Sequence, residues 1–291
     1  MVNLAFNGTL TLTNTITVAI NTVLMASNQN VTISGNNAVQ LFIVPPSVTF
    51  VMSNLVLANG LASGAGGAIS NSGTVQVVGC LFTNNGAEGQ AAYAYSGPVE
   101  IPGQGGAIFN TGILLVHNAL FVSNWAEGGA SVTDGPFGQG MAESHGEGGA
   151  IFNAETLLVT NASFLSNLAE GGGGNSAGLS LYAGSGGNGF GGAIYNTNYA
   201  VMDSCRFNAN SAIGGLPGAY DCDPNGSHNG PIGPGAAGSD ASGGAIYNSS
   251  TLLIWTVVRS CSLFQPKNIG VATAGQADFG CEKFLEGNAF G

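Results

Sequence analysis

Apolar residues recur two positions apart along most of this chain, in short runs that Gly or Asn interrupts. In residues 105–124, for example, Leu114 and Val116 form one such pair, and Ala119 and Phe121 form the next. Runs with a period of two and frequent breaks are typical of short strands joined by tight bends. The pattern therefore predicts an all-β protein.

The same pattern recurs behind the tetrapeptide Gly-Gly-Ala-Ile, which occurs five times. The copies begin at Gly66, Gly105, Gly148, Gly191 and Gly243. An Asn stands two residues after each Ile; in the first four copies a Phe follows eleven residues later, and a second Asn three residues after that. Constant spacing within copies and variable spacing between them indicate one unit stacked on itself, with insertions confined to one side.

A unit of about 20 residues is too short for an α/β repeat and too rich in β-branched residues for a helical one. We therefore expect a parallel β-helix with three short strands per turn, its turns stacked about 4.8 Å apart. Equivalent residues would then form columns, and the apolar columns should face inward. The predicted core columns are Ile69, Ile108, Ile151, Ile194 and Ile246; Val75, Leu114, Leu157, Ala200 and Leu252; Val77, Val116, Val159, Met202 and Ile254; Phe82, Phe121, Phe164 and Phe207; and the small residues Cys80, Ala119, Ala162 and Cys205, with Val257 in the fifth copy.

The first Asn of each copy is expected at a bend. Its amide could stack from turn to turn, and its backbone could adopt the left-handed conformation that Asn tolerates. These residues are Asn71, Asn110, Asn153, Asn196 and Asn248.

Three regions follow from the repeat pattern. Residues 1–60 are expected to form the N-terminal turns and a cap, residues 61–262 the repeat β-helix, and residues 263–291 a C-terminal cap or tail, since Arg259 stands where Phe is expected. Insertions at 88–104, 126–147, 170–190 and 212–242 are rich in Gly, which opposes regular strand. We expect them to be irregular loops stacked along one edge; the alternative is that each forms a second, degenerate turn.

Composition narrows the function. The chain has only four basic residues and a net charge of −11, which argues against binding nucleic acid or anionic membrane surfaces. It has no run of 18 apolar residues, so we expect no transmembrane helix.

The paired signals GGAI and FxxN resemble the repeats of the polymorphic outer membrane protein family. FxxN occurs at Phe82, Phe121, Phe164 and Phe207, and the resemblance covers residues 30–260. It implies a single-stranded right-handed parallel β-helix, the pectate-lyase-like solenoid, with long Gly-rich loops on one edge. It also implies an extracellular or cell-surface protein with a structural or adhesive role.

Two columns should point outward and yet be apolar. One contains Ser70, Phe109, Phe152, Tyr195 and Tyr247, and the other contains Gln76, Leu115, Leu158, Val201 and Leu253. So much apolar surface on a monomer is unusual. The Gly-rich loops could cover it, neighbouring subunits could cover it, or the aromatic rings could bind surface glycans by stacking. Open strand edges at the ends of a β-helix favour self-association into a homo-oligomer or filament.

Catalytic and metal-binding signals are weak. β-Helix enzymes that degrade polysaccharides need clustered Asp with a basic residue, and this chain has no such cluster, so we expect no enzymatic activity. A carbohydrate-binding or polysaccharide-degrading β-helix protein is the alternative function. His117, His145 and His228 are isolated and expected to be solvated.

Acidic residues suggest two further features. Asp221, Asp223 and Asn225 match the opening of a calcium loop, although Ile232 stands where its Glu should be, so Ca2+ is the one candidate cofactor. Glu88, Glu127 and Glu170 share one repeat position and should be exposed, because stacked like charges repel.

The cysteines give no metal motif. Cys80 and Cys205 are expected to be buried thiols. A disulfide pairing among Cys222, Cys261 and Cys281 cannot be assigned from the sequence.

Overall fold

The chain winds into a solenoid-like stack of parallel β-strands, as seen in a computed structural model. The structure describes residues 1–94, 97–130, 144–174, 185–217 and 240–255, and only the backbone of 91–94 and 97–99. Every regular element in these ranges is a strand, and they contain no helix. From Ile69 to Ser242 each coil contributes one strand to each of five parallel sheets, which we number in their order along a coil, and two described strands of a further coil follow.

The first three sheets enclose the wide part of the coil. The first sheet consists of Ile16–Thr17, Phe42–Val44, Ile69–Asn71, Ile108–Asn110, Ile151–Asn153, Ile194–Asn196 and Ile246–Asn248. The second sheet consists of Val2–Asn3, Thr22–Met25, Thr49–Ser53, Thr74–Val78, Ile113–His117, Thr156–Thr160, Tyr199–Asp203 and Thr251–Ile254. The third sheet consists of Gly8–Thr11, Val31–Ser34, Val56–Ala58, Leu81–Thr83, Leu120–Val122, Ser163–Leu165 and Arg206–Asn208.

The remaining two sheets form a narrow end. The fourth sheet consists of Leu61–Ser63, Gly86–Glu88, Trp125–Glu127, Leu168–Glu170 and Ser211–Ile213. The fifth sheet consists of Gly103–Gln104, Gly146–Glu147, Gly189–Phe190 and Ala241–Ser242. Between Glu88 and Gly103 the chain also forms an antiparallel hairpin of Gln90–Ala94 and Gly97–Ile101.

The predicted core columns are confirmed. Strands pair so that the Ile of each Gly-Gly-Ala-Ile lies over the next Ile, and Phe lies over Phe. Members of these columns are buried, except that Phe207 and Ile254 are only partly buried and Val257 lies outside the described residues. Rings in the Phe column stack with centroids 4.8 to 4.9 Å apart and nearly parallel planes. The core is thus a set of in-register columns filling the wide part of the coil.

The predicted Asn column is also confirmed, but its backbone conformation is not. Each amide donates to the next through hydrogen bonds of 2.6 to 2.7 Å, for example from Asn110 Nδ2 to Asn153 Oδ1. None of these Asn residues has a positive φ. Left-handed backbone occurs instead at the two bends that flank the third sheet, for example at Asn161 and Ser166. The amide of the first Asn caps its own bend, bonding to backbone groups there, so the bend needs no left-handed residue.

A second Asn column follows the third sheet. It contains Asn85, Asn124, Asn167 and Asn210. The side chain of Asn124 accepts a bond from the backbone N–H of Asn85 at 3.1 Å and another from its amide at 3.0 Å, and the same pairing recurs one coil on. The repeat thus places an amide at two bends, one between the first and second sheets and one after the third sheet.

The expectation of three strands per turn was wrong, because the ends of every insertion are themselves strands. Glu88 and Gly103, for example, border the first insertion yet belong to the fourth and fifth sheets. These strands carry small inward residues such as Ala87 and Ala126. They lack the bulky alternation that marks a strand in sequence, because the two sheets pack backbone against backbone.

The close approach of these sheets explains the two glycines of each repeat. The first has φ between 62° and 69°, a conformation that disfavours any other residue. The second faces carbonyl groups of neighbouring strands: a Cβ on Gly149 would lie less than 3.0 Å from the carbonyl oxygens of Leu168 and Gly192. Only glycine fits both positions.

Residues 1–60 continue the same sheets without the glycine signal. Their core columns end at Val2, Leu10 and Ile16, which are 47%, 42% and 41% exposed. The predicted tail at 263–291 and Arg259 lie outside the described residues.

Gly149→Ala should lower the free energy of unfolding by at least about 2 kcal/mol, because the added methyl overlaps backbone oxygens that cannot move independently. Gly173→Ala is the matched control: its Cβ would have its nearest neighbour, the Leu216 carbonyl oxygen, at 4.0 Å. Thermal unfolding followed by circular dichroism measures both. Equal losses in the two variants would contradict the backbone-contact explanation.

Asn153→Ala should destabilise the chain by about 2 to 3 kcal/mol, because it leaves the buried amides of Asn110 and Asn196 each short of a partner. Asn198→Ala removes an exposed amide from the same bend in the next coil and should change stability by less than about 0.5 kcal/mol. Denaturant titration of the two variants compares the losses; an Asn153→Ala variant as stable as Asn198→Ala would show that the column contributes nothing.

Candidate interaction surface

The outward column of the first sheet is a continuous stack of aromatic rings. Phe109, Phe152, Tyr195 and Tyr247 lie directly over one another, with Ser70 below Phe109. Neighbouring ring centroids are 4.9 to 5.3 Å apart with interplanar angles of 12° to 26°. We call these four residues the aromatic column. It faces away from the core, as predicted, but each ring is at least partly buried by its neighbours.

This stacking decides what the aromatic column offers to a ligand. A sugar that stacks on an aromatic residue needs an open ring face. Here the faces are turned towards the rings of adjacent coils, and Phe152 in the middle of the stack is only 7% exposed. The column therefore presents ring edges, which suit apolar packing better than sugar stacking.

The fifth sheet covers one side of the aromatic column. Phe190 lies 4.9 Å from Tyr247 and 5.8 Å from Tyr195, measured between ring centroids. One strand below it is Glu147, whose carboxylate accepts a 2.7 Å hydrogen bond from Gln104 Nε2. Cover by the Gly-rich insertions was one of the alternatives that the sequence left open. That Phe190 and Glu147 supply it was not predicted, because both lie in segments expected to be irregular loops; their shared position, directly before Gly-Gly, was the available signal.

The same cover perturbs two ionisable groups. Burial raises the pKa of Glu147, and the hydrogen bond from Gln104 and the proximity of His145 offset this only in part. Burial, followed by the charges of Glu147 and Tyr247, raises the pKa of Tyr195. The corner between the first and fifth sheets is therefore a place where ionisation is disfavoured.

The outward column of the second sheet is aliphatic and longer than predicted. The register places Gln76, Leu115, Leu158, Val201 and Leu253 over one another, as expected, and extends the column to Val51 and Val23. We call these seven residues the aliphatic column. Leu158 is 37% exposed, and Val78, Ile113 and Tyr199 on the same face are 39%, 43% and 39% exposed. No described element packs over this face.

The acidic column lies at the outer margin of the fourth sheet. Glu88, Glu127 and Glu170 are in register, as predicted, and the first two are exposed while Glu170 is half-buried. Burial raises the pKa of Glu127, and the charges of Glu170 and Glu88 raise it further. The like charges of adjacent coils thus repel one another along this margin.

The remaining candidates for chemistry form no metal site among the described residues. Cys80 and Cys205 are buried as predicted, and burial raises the pKa of each thiol to about 11. His145 is not the solvated residue we expected: its Nδ1 accepts a 2.9 Å bond from the Asn188 backbone. Asp221, Asp223 and Asn225, the predicted calcium residues, lie outside the described residues, as do His228, Cys222, Cys261 and Cys281. Within the described ranges, no three His, Cys, Asp or Glu side chains come together as a metal site.

Comparison with known proteins adds nothing to the geometry. No protein family, curated protein or solved structure matches this chain. Among the described residues, no helix has the length and apolar character needed to cross a membrane.

Glu147→Gln should stabilise the chain at pH 7 and have a smaller effect at pH 4. Because the folded-state pKa of Glu147 is raised, the folded chain binds this proton more tightly, so the wild type loses stability as the pH rises above the ordinary Glu value. Glutamine carries no charge and keeps an oxygen that can accept the bond from Gln104. Thermal midpoints at the two pH values test this. Glu155→Gln, an exposed change on the next coil, controls for net charge; equal shifts in both variants would refute the role of burial.

Proposed function

We propose that this chain is a right-handed parallel β-helix that acts outside the cell or on its surface as a structural or adhesive element, and that it associates with further copies of itself. The right hand is the sense that parallel strands joined by crossovers adopt in nearly all known cases. The repeat signals GGAI and FxxN, which resemble those of the polymorphic outer membrane protein family, support both the hand and the location.

The observation that carries the proposal is the aliphatic column on a face over which no described element packs. Its leucines and valines point away from a core that is already filled by other columns. A soluble monomer rarely leaves an apolar strip of this length, interrupted only by Gln76, in contact with water. Contact with another copy would remove this strip from water without changing the coil.

The use of buried polar groups supports a structural role. Asn side chains are the main polar groups that the coil buries, and they are engaged in hydrogen bonds from one coil to the next. Such groups hold the stack together and are not available to bind or activate a substrate. A rigid wall with repeated surface columns is suited to forming layers or filaments.

Sedimentation velocity of the purified chain over a hundredfold range of concentration tests the proposal. We expect the weight-average sedimentation coefficient to rise with concentration, and electron microscopy of the concentrated sample to show ordered assemblies. A single monomeric species throughout the range would refute self-association. Formation of amorphous aggregates, with loss of the strand signal in circular dichroism, would also refute self-association of the folded chain.

A further inference from the structure

The outward face of the second sheet is apolar along its centre and carries almost no charge. The aliphatic column runs along its centre from Val23 to Leu253, interrupted only by Gln76. A Thr-rich column that includes Thr74 and Thr156 flanks it on one side. The opposite flank ends in Asp203. This is the one charged residue among the described outward positions of the second sheet, whereas the whole chain has a net charge of −11.

We infer that this face is the contact between two copies of the chain, which lie side by side and parallel, related by a two-fold axis that runs along the stack. The inference rests on the self-association proposed above and names the surface and the geometry of one contact in it; a two-fold contact closes on a pair, so layers or filaments use the open strand edges as a second contact.

Area and periodicity favour a second copy as the occupant. The eight-stranded sheet, with strands of up to five residues, has a footprint of roughly 34 Å by 16 Å at ordinary strand spacings. Two such faces would bury about 1,000 Å² in total, which reaches the lower limit for a specific interface. A second copy also presents residues at the same spacing of about 4.8 Å, so the two columns stay matched along their whole length.

The position of Asp203 favours the parallel arrangement. A two-fold axis along the stack places each residue of the aliphatic column against its own counterpart, so that Leu158 meets Leu158 of the partner subunit. It also places Asp203 opposite Tyr199 of the partner subunit, whose phenol can donate a hydrogen bond to the carboxylate. An antiparallel arrangement with full overlap would instead place that carboxylate against Met25 of the partner subunit, and an unpaired charge against an apolar side chain is unfavourable.

A charge-swap experiment on the full chain tests both the surface and the geometry. Leu158→Lys and Leu158→Glu should each weaken dimerisation at least about tenfold, because each places like charges face to face. An equimolar mixture of the two variants should dimerise within about threefold of the unmodified chain, because lysine then meets glutamate. Sedimentation velocity gives the dissociation constants.

Two further variants make the outcome decisive. Leu165→Lys, a partly exposed outward leucine on the third sheet, is the matched control and should dimerise as the unmodified chain does. Gln76→Lys replaces a residue of the aliphatic column that is already polar, so it should fold normally and still weaken dimerisation.

If the unmodified chain associates but Leu158→Lys and Gln76→Lys associate equally well, this face is not the contact and only the proposed function stands. If their dimers weaken but the Lys and Glu mixture does not recover, the parallel geometry is wrong; if the unmodified chain is monomeric, both proposals fail.

Discussion

Every coil of this protein is held to the next by hydrogen bonds between strands whose equivalent residues lie directly over one another. This register is kept even though successive repeats are separated by different lengths of chain: Asn71 bonds to Asn110 across 39 residues, and Asn196 to Asn248 across 52. The variation can be accommodated because the extra residues are inserted between the fourth and fifth sheets. Within the sheets, a position has almost the same surroundings in every coil, so the same residue type is favoured in each.

The cross-section combines two kinds of packing. In the wide part, Phe121 and its equivalents stack ring on ring and fill the space between three sheets. In the narrow end, glycine allows the fourth and fifth sheets to approach until the backbone of one touches the other, far closer than the usual sheet spacing of about 10 Å. Gly-Gly-Ala-Ile lies where the narrow end meets the wide part. Its glycines belong to the narrow end, and its isoleucine is the first large core residue of the wide part.

The sequence predicted the structural features that depend on bulky side chains and on Asn. It did not predict the strands that depend on glycine. The columns of Ile108, Phe121 and Asn110 could be predicted because their side chains alternate or recur at fixed spacing. Strands such as Gly146–Glu147 could not, because a two-residue strand with a glycine has no period to detect. The extension of the aliphatic column to Val23 was missed for a related reason: the N-terminal coils lack the glycine signal that aligns the later ones.

The same register that builds the core also determines the surface. Because alternation is strict, every outward position lies over its equivalent in the next coil, and a charge repeated in successive coils faces a like charge about 4.8 Å away. Burial raises the pKa of Glu127, and the like charges of Glu170 and Glu88 on the adjacent coils raise it further. Uncharged residues escape this repulsion, which is consistent with a charged fraction of only 7%. On the second sheet, where Asp203 is the one charged outward residue, this leaves a wall with an apolar centre, so the register that stabilises the single chain also creates the surface on which we propose that a second chain packs.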